Sequence, residues 1–434
     1  MDILTENDSF GQYPQSYYAA TTNFLGPFSN LKENISCDVC IVGGGYTGLS
    51  SAVALSELGY DVVLLEAHRV GFGASGRNGG QVSSGQRWNQ TKLVRHFGYE
   101  IAEKLWFVGE AAKKQVADLI KKHKIECEFC EGIIHAELKK KNIADLEKEV
   151  KFINSAYGYN KVEVLDQQSI KRFLGTDKYI AGTIDRGAGH LHPLKYAIGL
   201  AKAARDGGVR IFEKTRVVDI KAQDPITLVT KEKNMVRAKK LVMACNGYIG
   251  DLLPKIYSRV LPINNFIVAT EPLDSKMARS LIKGNFAVAD SKFVVNYYKI
   301  SSDKRLIFGG GENYRYRFPN DIKSKVRKSM LEIYPQLSEI KIDYAWGGTL
   351  AVTMTRLPDF QRLNANVYSA SGYSGQGVAL ASLAGKIIAE SIKGESKKFD
   401  LMSSLPTPIF PGGRFMRWPI MVLGMLSFKL RDKF

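Results

Sequence analysis

Apolar and polar positions near the start of the chain predict a strand, a helix and a second strand in close succession. An apolar run over residues 40–42 indicates the end of the first strand, and residues 47–58 have helical composition closed by Gly59. Residues 61–65 are again mostly apolar, and Glu66 ends this second predicted strand. The unit is short, and its two strands are apolar enough to be buried in a sheet.

The pattern changes further along the chain. Charged helical stretches such as residues 143–150 occur between about 99 and 184, and a predicted helix over 193–205 leads into a strand over 209–212. Strand-like stretches dominate from about 262 to 340, and residues 378–391 form an apolar helix. No window reaches ~18 uninterrupted apolar residues, so we expect no membrane-spanning helix.

Glycines at three fixed positions follow the first predicted strand. Gly43, Gly45 and Gly48 form the pattern G-x-G-x-x-G. The first permits a tight strand-to-helix turn, the second lets backbone approach a pyrophosphate, and the third lets helix and strand pack closely. The start of the helix offers unpaired N–H groups and a positive dipole end to phosphates. Together with Glu66, which is placed to accept hydrogen bonds from a ribose diol, the motif predicts dinucleotide binding.

A second glycine-rich loop, residues 71–80, follows the acidic residue. A second backbone-lined loop of this kind suits a cofactor that is long and buried, such as FAD. The loop and the motif before it resemble the D-amino-acid-oxidase-type FAD amine oxidoreductases, and more narrowly their gamma-glutamylputrescine oxidase branch. The matching segments are residues 16–21 (SYYAAT), 43–48 (GGGYTG), 71–80 (GFGASGRNGG), 189–196 (GHLHPLKY), 244–248 (ACNGY), 306–311 (LIFGGG), 346–348 (WGG), 372–378 (GYSGQGV) and 410–414 (FPGGR). They occur in the expected order over nearly the whole chain.

The resemblance implies an α/β fold: a Rossmann-like, glutathione-reductase-like FAD-binding domain with an inserted α+β substrate domain. We predict a discontinuous FAD-binding domain, a substrate domain in two pieces and a basic, apolar tail. Their bounds are 36–98, 185–261 and 341–395 for the first, 99–184 and 262–340 for the second, and 396–434 for the tail.

The resemblance also implies which residues hold FAD. They are glycines, small polar residues and a few side chains around the two loops and two later strand ends. The predicted cofactor residues are Gly43, Gly45, Tyr46, Thr47, Gly48, Glu66, Ala67, Gly73, Ala74, Ser75, Gly76, Arg77, Asn78, Gly79, Gly80, Gln81, Val217, Asn246, Gly247, Gly375, Gln376, Gly377 and Val378. Residues 71–85 contain no His or Cys and residues 350–359 contain no Cys, so we predict that FAD is bound non-covalently.

The reaction implied by the resemblance is oxidation of an amine C–N bond by hydride transfer to FAD. The expected partners are a small amine and O2 or another electron acceptor. Catalytic residues are unassigned; the candidates are Tyr248, Tyr298 and Gln376, of which the glutamine can donate a hydrogen bond but cannot titrate. We expect packing rather than catalytic roles for His190 and His192.

The substrate remains open between two classes. Amino-acid oxidases of this family place an Arg a few residues after the glycines of residues 346–348, and here that stretch continues as Thr349 and Leu350. This favours gamma-glutamylputrescine or a related polyamine derivative, whose remote carboxylate could bind Arg315, Arg317 or Arg356. The alternative is an amino-acid or N-methyl-amine dehydrogenase or oxidase of the sarcosine, glycine or D-amino-acid type.

Charge and cysteine content bear on the partners, the compartment and the metal content that we expect. The 434 residues include 61 Lys and Arg against 43 Asp and Glu, giving a formal charge of +18. This charge raises the hypothesis of a flavoprotein acting on RNA, but the short lysine clusters are not interleaved with aromatic residues, and we expect no nucleic-acid partner. Five cysteines fit a reducing, cytoplasmic compartment. We expect no metal site, because Cys37 and Cys40 lie three apart on a strand and should face opposite ways.

The chain ends in an apolar segment flanked by basic residues. Residues 419–430 would span about 18 Å as a helix, too short to cross a bilayer. A terminal helix docked on the core is one interpretation, and peripheral contact with a membrane surface is the other.

Overall fold

The computed structural model describes residues 2–313, 315–412, 419 and 422. Within them the chain forms two large sheets flanked by helices. The helices are α1 (Tyr17–Ala20), α2 (Tyr46–Glu57), α3 (Gln90–Phe97), α4 (Tyr99–His123), α5 (Ile143–Tyr157), α6 (Gln167–Leu174), α7 (Pro193–Asp206), α8 (Pro254–Tyr257), α9 (Ser275–Leu281), α10 (Ile322–Ile333), α11 (Gly377–Lys393) and α12 (Lys397–Ser403). The strands are β1 (Ile35–Val42), β2 (Val62–Leu65), β3 (Gln81–Val82), β4 (Cys130–Glu137), β5 (Val162–Leu165), β6 (Ala181–His190), β7 (Arg210–Phe212), β8 (Val217–Lys221), β9 (Ile226–Thr230), β10 (Met235–Met243), β11 (Leu261–Thr270), β12 (Ala287–Asp290), β13 (Tyr297–Ile300), β14 (Leu306–Asn313), β15 (Ile342–Val352), β16 (Asp359–Asn364) and β17 (Val367–Ser371).

The first sheet is a largely parallel sheet with an antiparallel extension. Its order is β16-β17-β10-β1-β2-β7, and β9 joins β10 while β8 joins β9. The strands from β17 to β7 are parallel to their neighbours, as expected for strands joined by crossover connections. Apolar residues of α2, α4, α7 and α11 pack together on one face, and β8 and β9 cover part of the other. This confirms the α/β, Rossmann-like fold predicted from the sequence.

The second sheet carries the opposite wall of the molecule. Its order is β15-β11-β14-β13-β12-β4-β6-β3, with β5 beside β6, and its pairs are antiparallel except β4 with β12. Helices α6, α9 and α10 cover its outer face through a separate apolar core. The second sheet therefore has an apolar core of its own, separate from those of the first sheet.

Three strands of the second sheet come from segments that the predicted division gave to the FAD-binding domain. They are β3, the last residues of β6, and β15, which pairs with β11 over almost its full length. The segments predicted for the FAD-binding domain therefore contribute strands to both sheets. The division into domains therefore stays a prediction.

Cys37 and Cys40 face the same side of the first sheet, contrary to the expectation. Both belong to the core on the β8 and β9 face. The physical reason is a bulge: the N–H groups of Asp38 and Val39 both donate to the Asp61 carbonyl, at 3.0 and 3.1 Å. An extra residue in a strand shifts the alternation of its side chains by one. All five cysteines are free thiols.

A search of the described helices finds none with the length and apolar character needed to cross a membrane. Most of the predicted tail, including the basic residues that flank its apolar segment, lies outside the described residues.

Candidate functional site

A cavity of about 480 Å3 opens where the carboxyl ends of β1, β2 and β10 meet the second sheet. We call it the site cavity. In a parallel α/β sheet, ligands bind beyond the carboxyl ends of the strands, because helix N-termini and loops converge there. The predicted strand-helix-strand unit, now β1, α2 and β2, ends at this cavity.

The glycine turn between β1 and α2 has no space for side chains. Gly43 has φ of 110°, and a Cβ on it would lie 2.6 Å from the Ala244 carbonyl oxygen. A Cβ on Gly48 would lie 1.9 Å from the Gly43 carbonyl oxygen, so only glycine lets α2 pack this closely on the turn. Gly45 caps α2 without a side-chain hydrogen bond, and the positive end of the helix dipole faces the site cavity.

Glu66 stands at the end of β2, at one end of the site cavity. Its Oε2 accepts a hydrogen bond from the Gly44 N–H at 2.7 Å, and its Oε1 accepts one from the His68 N–H at 2.8 Å. Burial raises the pKa of this carboxyl to about 7, against the opposing effect of those hydrogen bonds. Ala67 and Val217 line the cavity beside it. This end can hold a ribose diol and an apolar base.

The second glycine-rich loop is fixed by Arg77. The buried guanidinium makes an ion pair of 2.9 Å with Asp8, and it donates to the carbonyl oxygens of Phe72 and Gly347 at 2.7 and 3.1 Å. Its Nη2 is buried and has no partner among the described residues. Because Arg77 lines the site cavity, an anionic or polar ligand there would satisfy this orphaned donor.

The N-terminus of α11, a helix far from α2 in the sequence, borders the same cavity. Gly375 has φ of 98°, and Gln376 precedes the helix and accepts a hydrogen bond from Ser83 Oγ at 2.8 Å. A Cβ on Gly385 would stand 2.4 Å from the Ser51 backbone nitrogen, so α11 packs closely on α2. Two helix N-termini therefore point at one cavity.

Most of the predicted cofactor residues line the site cavity. They are Gly43, Gly45, Tyr46, Thr47, Glu66, Ala67, Gly73, Ala74, Ser75, Arg77, Asn78, Gly79, Gly80, Gln81, Val217, Asn246, Gly375, Gln376, Gly377 and Val378. Gly48, Gly76 and Gly247 do not line it. Gly48 and Gly76 are needed for close packing behind the wall, since a Cβ on Gly76 would lie 2.2 Å from the Gly71 carbonyl oxygen.

Two of the three catalytic candidates line the site cavity, and the third lies in an apolar core. Gln376 and Tyr248 line the site cavity, and a Cβ on Gly73 would lie 3.2 Å from the Tyr248 ring. Tyr298 does not. It is buried in the core of the second sheet, stacked on Phe308 with ring centroids 5.2 Å apart.

The tyrosine of β13 that faces the site cavity is Tyr297, the neighbour of Tyr298. Tyr297 lines the site cavity, and its hydroxyl donates to Asn265 Oδ1 at 2.5 Å. Successive residues of β13 point to opposite faces, so the sequence placed the correct strand but the wrong face. The alternation of the strand, followed from Tyr298 stacked on Phe308, would have identified Tyr297.

His190 and His192 lie outside the site cavity. His192 caps α7, its Nδ1 lying 3.2 Å from the Lys195 N–H, and burial lowers its pKa to about 2. His190 Nε2 lies 2.8 Å from the Asn285 carbonyl oxygen, and burial lowers the pKa of this side chain to about 3. Both side chains are neutral over the physiological range and hold loops together.

The three arginines proposed to bind a remote carboxylate differ in whether they line the site cavity. Arg356 lines the site cavity, whereas Arg315 and Arg317 are exposed outside it, the latter with its Nε 3.2 Å from Glu6. Arg87 lines the cavity as well and was not predicted. It follows a loop with no motif, so the sequence offered no signal for it.

The residues present fit FAD. A glycine turn at one helix N-terminus and the orphaned Arg77 donor suit a pyrophosphate, Glu66 suits a ribose, and the Gly375–Gly377 turn leaves backbone open at a second helix N-terminus. On the β15 side, Gly348, Leu350 and Ala351 line the cavity, with no basic side chain among them.

Comparison with known proteins agrees with this geometry. The family model described as DAO, FAD dependent oxidoreductase, matches residues 38–391. Gamma-glutamylputrescine oxidoreductase of Escherichia coli is 40% identical over 97% of this chain and 99% of its own length.

Solved structures show the same fold at lower sequence identity. Glycine oxidase of Geobacillus kaustophilus has a TM-score of 0.72 at 20% identity, covering 86% of this chain and 99% of its own. L-proline dehydrogenase of P. horikoshii has a TM-score of 0.68 at 22% identity, covering 85% and 96%.

Proposed function

The chain belongs to the DAO family of FAD dependent oxidoreductases, and we propose that it oxidises the terminal amine of gamma-glutamylputrescine or of a related polyamine derivative. The products are the aldehyde and ammonia, and the proposed acceptor is O2, which is reduced to H2O2. The observation that carries the proposal is the 40% identity, spread over 97% of this chain, to a gamma-glutamylputrescine oxidoreductase. The solved L-proline dehydrogenase and glycine oxidase of similar fold are 22% and 20% identical, which supports the fold alone.

FAD, when bound, accepts the hydride from the carbon next to the amine nitrogen. Water then adds to the imine carbon and releases ammonia, so one amine, one water and one O2 give one aldehyde, one ammonia and one H2O2. The neutral amine is the reactive form, and hydride loss from it needs no strong general base. We therefore assign no acid–base role to Gln376.

The proposed cofactor contacts divide along the site cavity. Glu66 would hold the adenosine ribose, the α2 N-terminus and Arg77 the pyrophosphate, and the α11 N-terminus the flavin end. A helix N-terminus acts as roughly half a positive charge, so the start of α11 would stabilise negative charge that accumulates nearby. The protein contributes position and electrostatics.

The test is anaerobic loss of the visible absorbance of the bound flavin with a panel of amines. The panel holds gamma-glutamylputrescine, putrescine, spermidine, sarcosine, glycine and D-alanine. Rapid loss with gamma-glutamylputrescine supports the proposal. Loss only with sarcosine, glycine or D-alanine would move the substrate to the amino-acid class and overturn it.

Admission of air to the reduced enzyme tests the acceptor. Recovery of absorbance with formation of peroxide identifies an oxidase, whereas reduction without recovery indicates another acceptor. In that case the proposed peripheral membrane contact of residues 414–434 becomes relevant, because a quinone acceptor resides in a membrane. A cytoplasmic location, at a membrane surface or free of it, is part of the same proposal and rests on sequence alone.

A further inference from the structure

The wall of the site cavity beyond the flavin end carries charged side chains of both signs. Arg87, Arg356 and Glu312 line it together with the polar pair Asn265 and Tyr297. Other charged side chains line the cavity as well: Glu66, Arg77 and Arg216 near the predicted cofactor positions, and Asp290 and Lys292 close to Phe293 in the chain. The arrangement of Arg87, Arg356 and Glu312 bears on which amines the site accepts.

The segments that carry the two arginines are joined by a hydrogen bond between their neighbours. The Trp88 indole N–H, next to Arg87, donates to the carbonyl oxygen of Thr355, next to Arg356, at 2.7 Å. Both arginines have left-handed backbone, with φ of 78° and 67°. For a residue with a Cβ this conformation is strained and tends to occur at functional sites.

The guanidinium of Arg87 reaches the flavin end of the cavity. A Cβ on Gly375 would lie 3.8 Å from its Nη1. The Arg356 guanidinium lies over the Phe293 ring, 5.3 Å from its centroid, and Phe293 also lines the cavity. Burial and the charge of Arg356 lower the pKa of Arg87, and Glu312 acts in the opposite direction, so the three charges interact.

Two like charges held together in a cavity favour a ligand that carries the opposite charge. We propose that Arg87 and Arg356 bind the carboxylate, and Glu312 the ammonium, of an amino-acid head group at the end of the substrate remote from the reacting amine. Arginine suits this role because its planar fork can bind a carboxylate through two hydrogen bonds. The inference rests on the proposed function and names the part of the substrate that selects it.

The proposal separates substrates by their remote head group. Gamma-glutamylputrescine carries both an α-carboxylate and an α-ammonium at its remote end, so it satisfies all three side chains. Putrescine lacks this head group, because its second ammonium lies where the conjugate has its amide nitrogen, so the two guanidinium groups gain no carboxylate. The site would therefore oxidise the conjugated amine and reject the free diamine.

Two analogues test the two halves of the head group separately. N-glutarylputrescine keeps the carboxylate and lacks the ammonium, and N-(4-aminobutanoyl)putrescine keeps the ammonium and lacks the carboxylate. We expect Arg87→Gln and Arg356→Gln each to raise KM about tenfold or more for gamma-glutamylputrescine and for the glutaryl analogue, with kcat nearly unchanged. Their KM for the aminobutanoyl analogue should not rise. Glu312→Gln should raise KM for gamma-glutamylputrescine and the aminobutanoyl analogue only.

The matched control is Arg317→Gln, which removes an exposed arginine outside the site cavity and should leave every KM unchanged. Flavin content and the visible spectrum of each variant show whether the cofactor site is intact. Equal effects on both analogues, or no effect of either arginine substitution, would overturn the head-group proposal.

Failure of the proposed function looks different. If none of the polyamine derivatives reduces the wild-type flavin, the proposed function is wrong whatever the variants do. Titration with glutarate, followed by perturbation of the flavin spectrum, then tests the arginine pair directly. Binding by the wild type that is weakened about tenfold or more in Arg87→Gln would support the carboxylate site, and equal binding by both would overturn it.

Discussion

The wall of the site cavity that the first sheet contributes is rich in glycines, small side chains and helix N-termini, whereas the wall on the side of the second sheet also carries long polar and charged side chains. A Cβ at Gly43 on the first wall, or at Gly48 directly behind it, would collide with backbone. On the second, Arg87, Tyr297 and Glu312 project from three separate segments. A ligand common to many enzymes is recognised by backbone, and the ligand particular to one enzyme is recognised by side chains.

The largest effect on FAD binding should come from crowding the glycine turn behind the first wall. Gly48→Val places a Cβ 1.9 Å from the Gly43 carbonyl oxygen, so α2 must move away from the turn. Overpacking of this kind costs about 1–3 kcal/mol or more, and the pyrophosphate position is lost with it. We expect protein without bound FAD and with a lower Tm, measured by visible absorbance and thermal unfolding. Gly26→Ala, where a Cβ meets nothing within 4 Å, is the control. Full FAD content in Gly48→Val would contradict this account of the wall.

Arg77 is the exception on the first wall, because there a side chain does the positioning. Arg77→Met leaves Asp8 and two carbonyl groups without their donor. Breaking a buried ion pair costs about 3–5 kcal/mol, and we expect a loss of that order in the free energy of unfolding, with weaker FAD binding. Urea unfolding measures the first and fluorescence titration the second. Arg210→Met, which removes an exposed pair with Asp61, should cost about 1 kcal/mol or less. Equal costs for the two substitutions would contradict the anchoring role.

Glu66 should make the stability of the apoprotein depend on pH. Its folded-state pKa of about 7 lies above its ordinary value of 4.5, so the folded protein holds a proton that the unfolded chain releases. Raising the pH from about 5 to about 7 should therefore lower the free energy of unfolding, and the decrease should stop above that window. Glu66→Gln should remove this part of the pH dependence, and the exposed Glu339→Gln should not. Thermal unfolding of FAD-free protein across the window is the measurement; an unchanged profile in Glu66→Gln would exclude this residue as the source.

The smallest effect separates the two neighbouring tyrosines of β13. Tyr297→Phe removes the hydroxyl that donates to Asn265 in the site cavity, and we expect a change of a few fold in KM. Tyr298→Phe removes a hydroxyl that lies 3.3 Å from the Tyr179 hydroxyl within the core. It should leave KM and kcat unchanged and alter only stability. Steady-state kinetics of the two variants, with Tm for each, tests the assignment; the reverse pattern would return Tyr298 to the site.

The contrast between the two walls also explains which parts of the site can be predicted from the sequence. The β1–α2–β2 unit, the acidic residue after it and the α11 turn were predictable, because glycines at fixed spacing leave a readable pattern. Tyr298 was the wrong residue because a strand run shows its face only when the packing partner is known. Arg87 was missed because its position depends on the contact between Trp88 and Thr355, residues far apart in the chain. The charged wall is assembled by tertiary contacts, and no local pattern encodes them.

The close packing of α2 on α11 has a consequence for how the enzyme acquires its cofactor. Helix α2 is translated long before α11, because α2 ends at Glu57 and α11 begins at Gly377. The cofactor site needs both helix N-termini, so it cannot form until α11 has left the ribosome. A nascent chain stalled before α11 would therefore lack one of the two helix N-termini that face FAD.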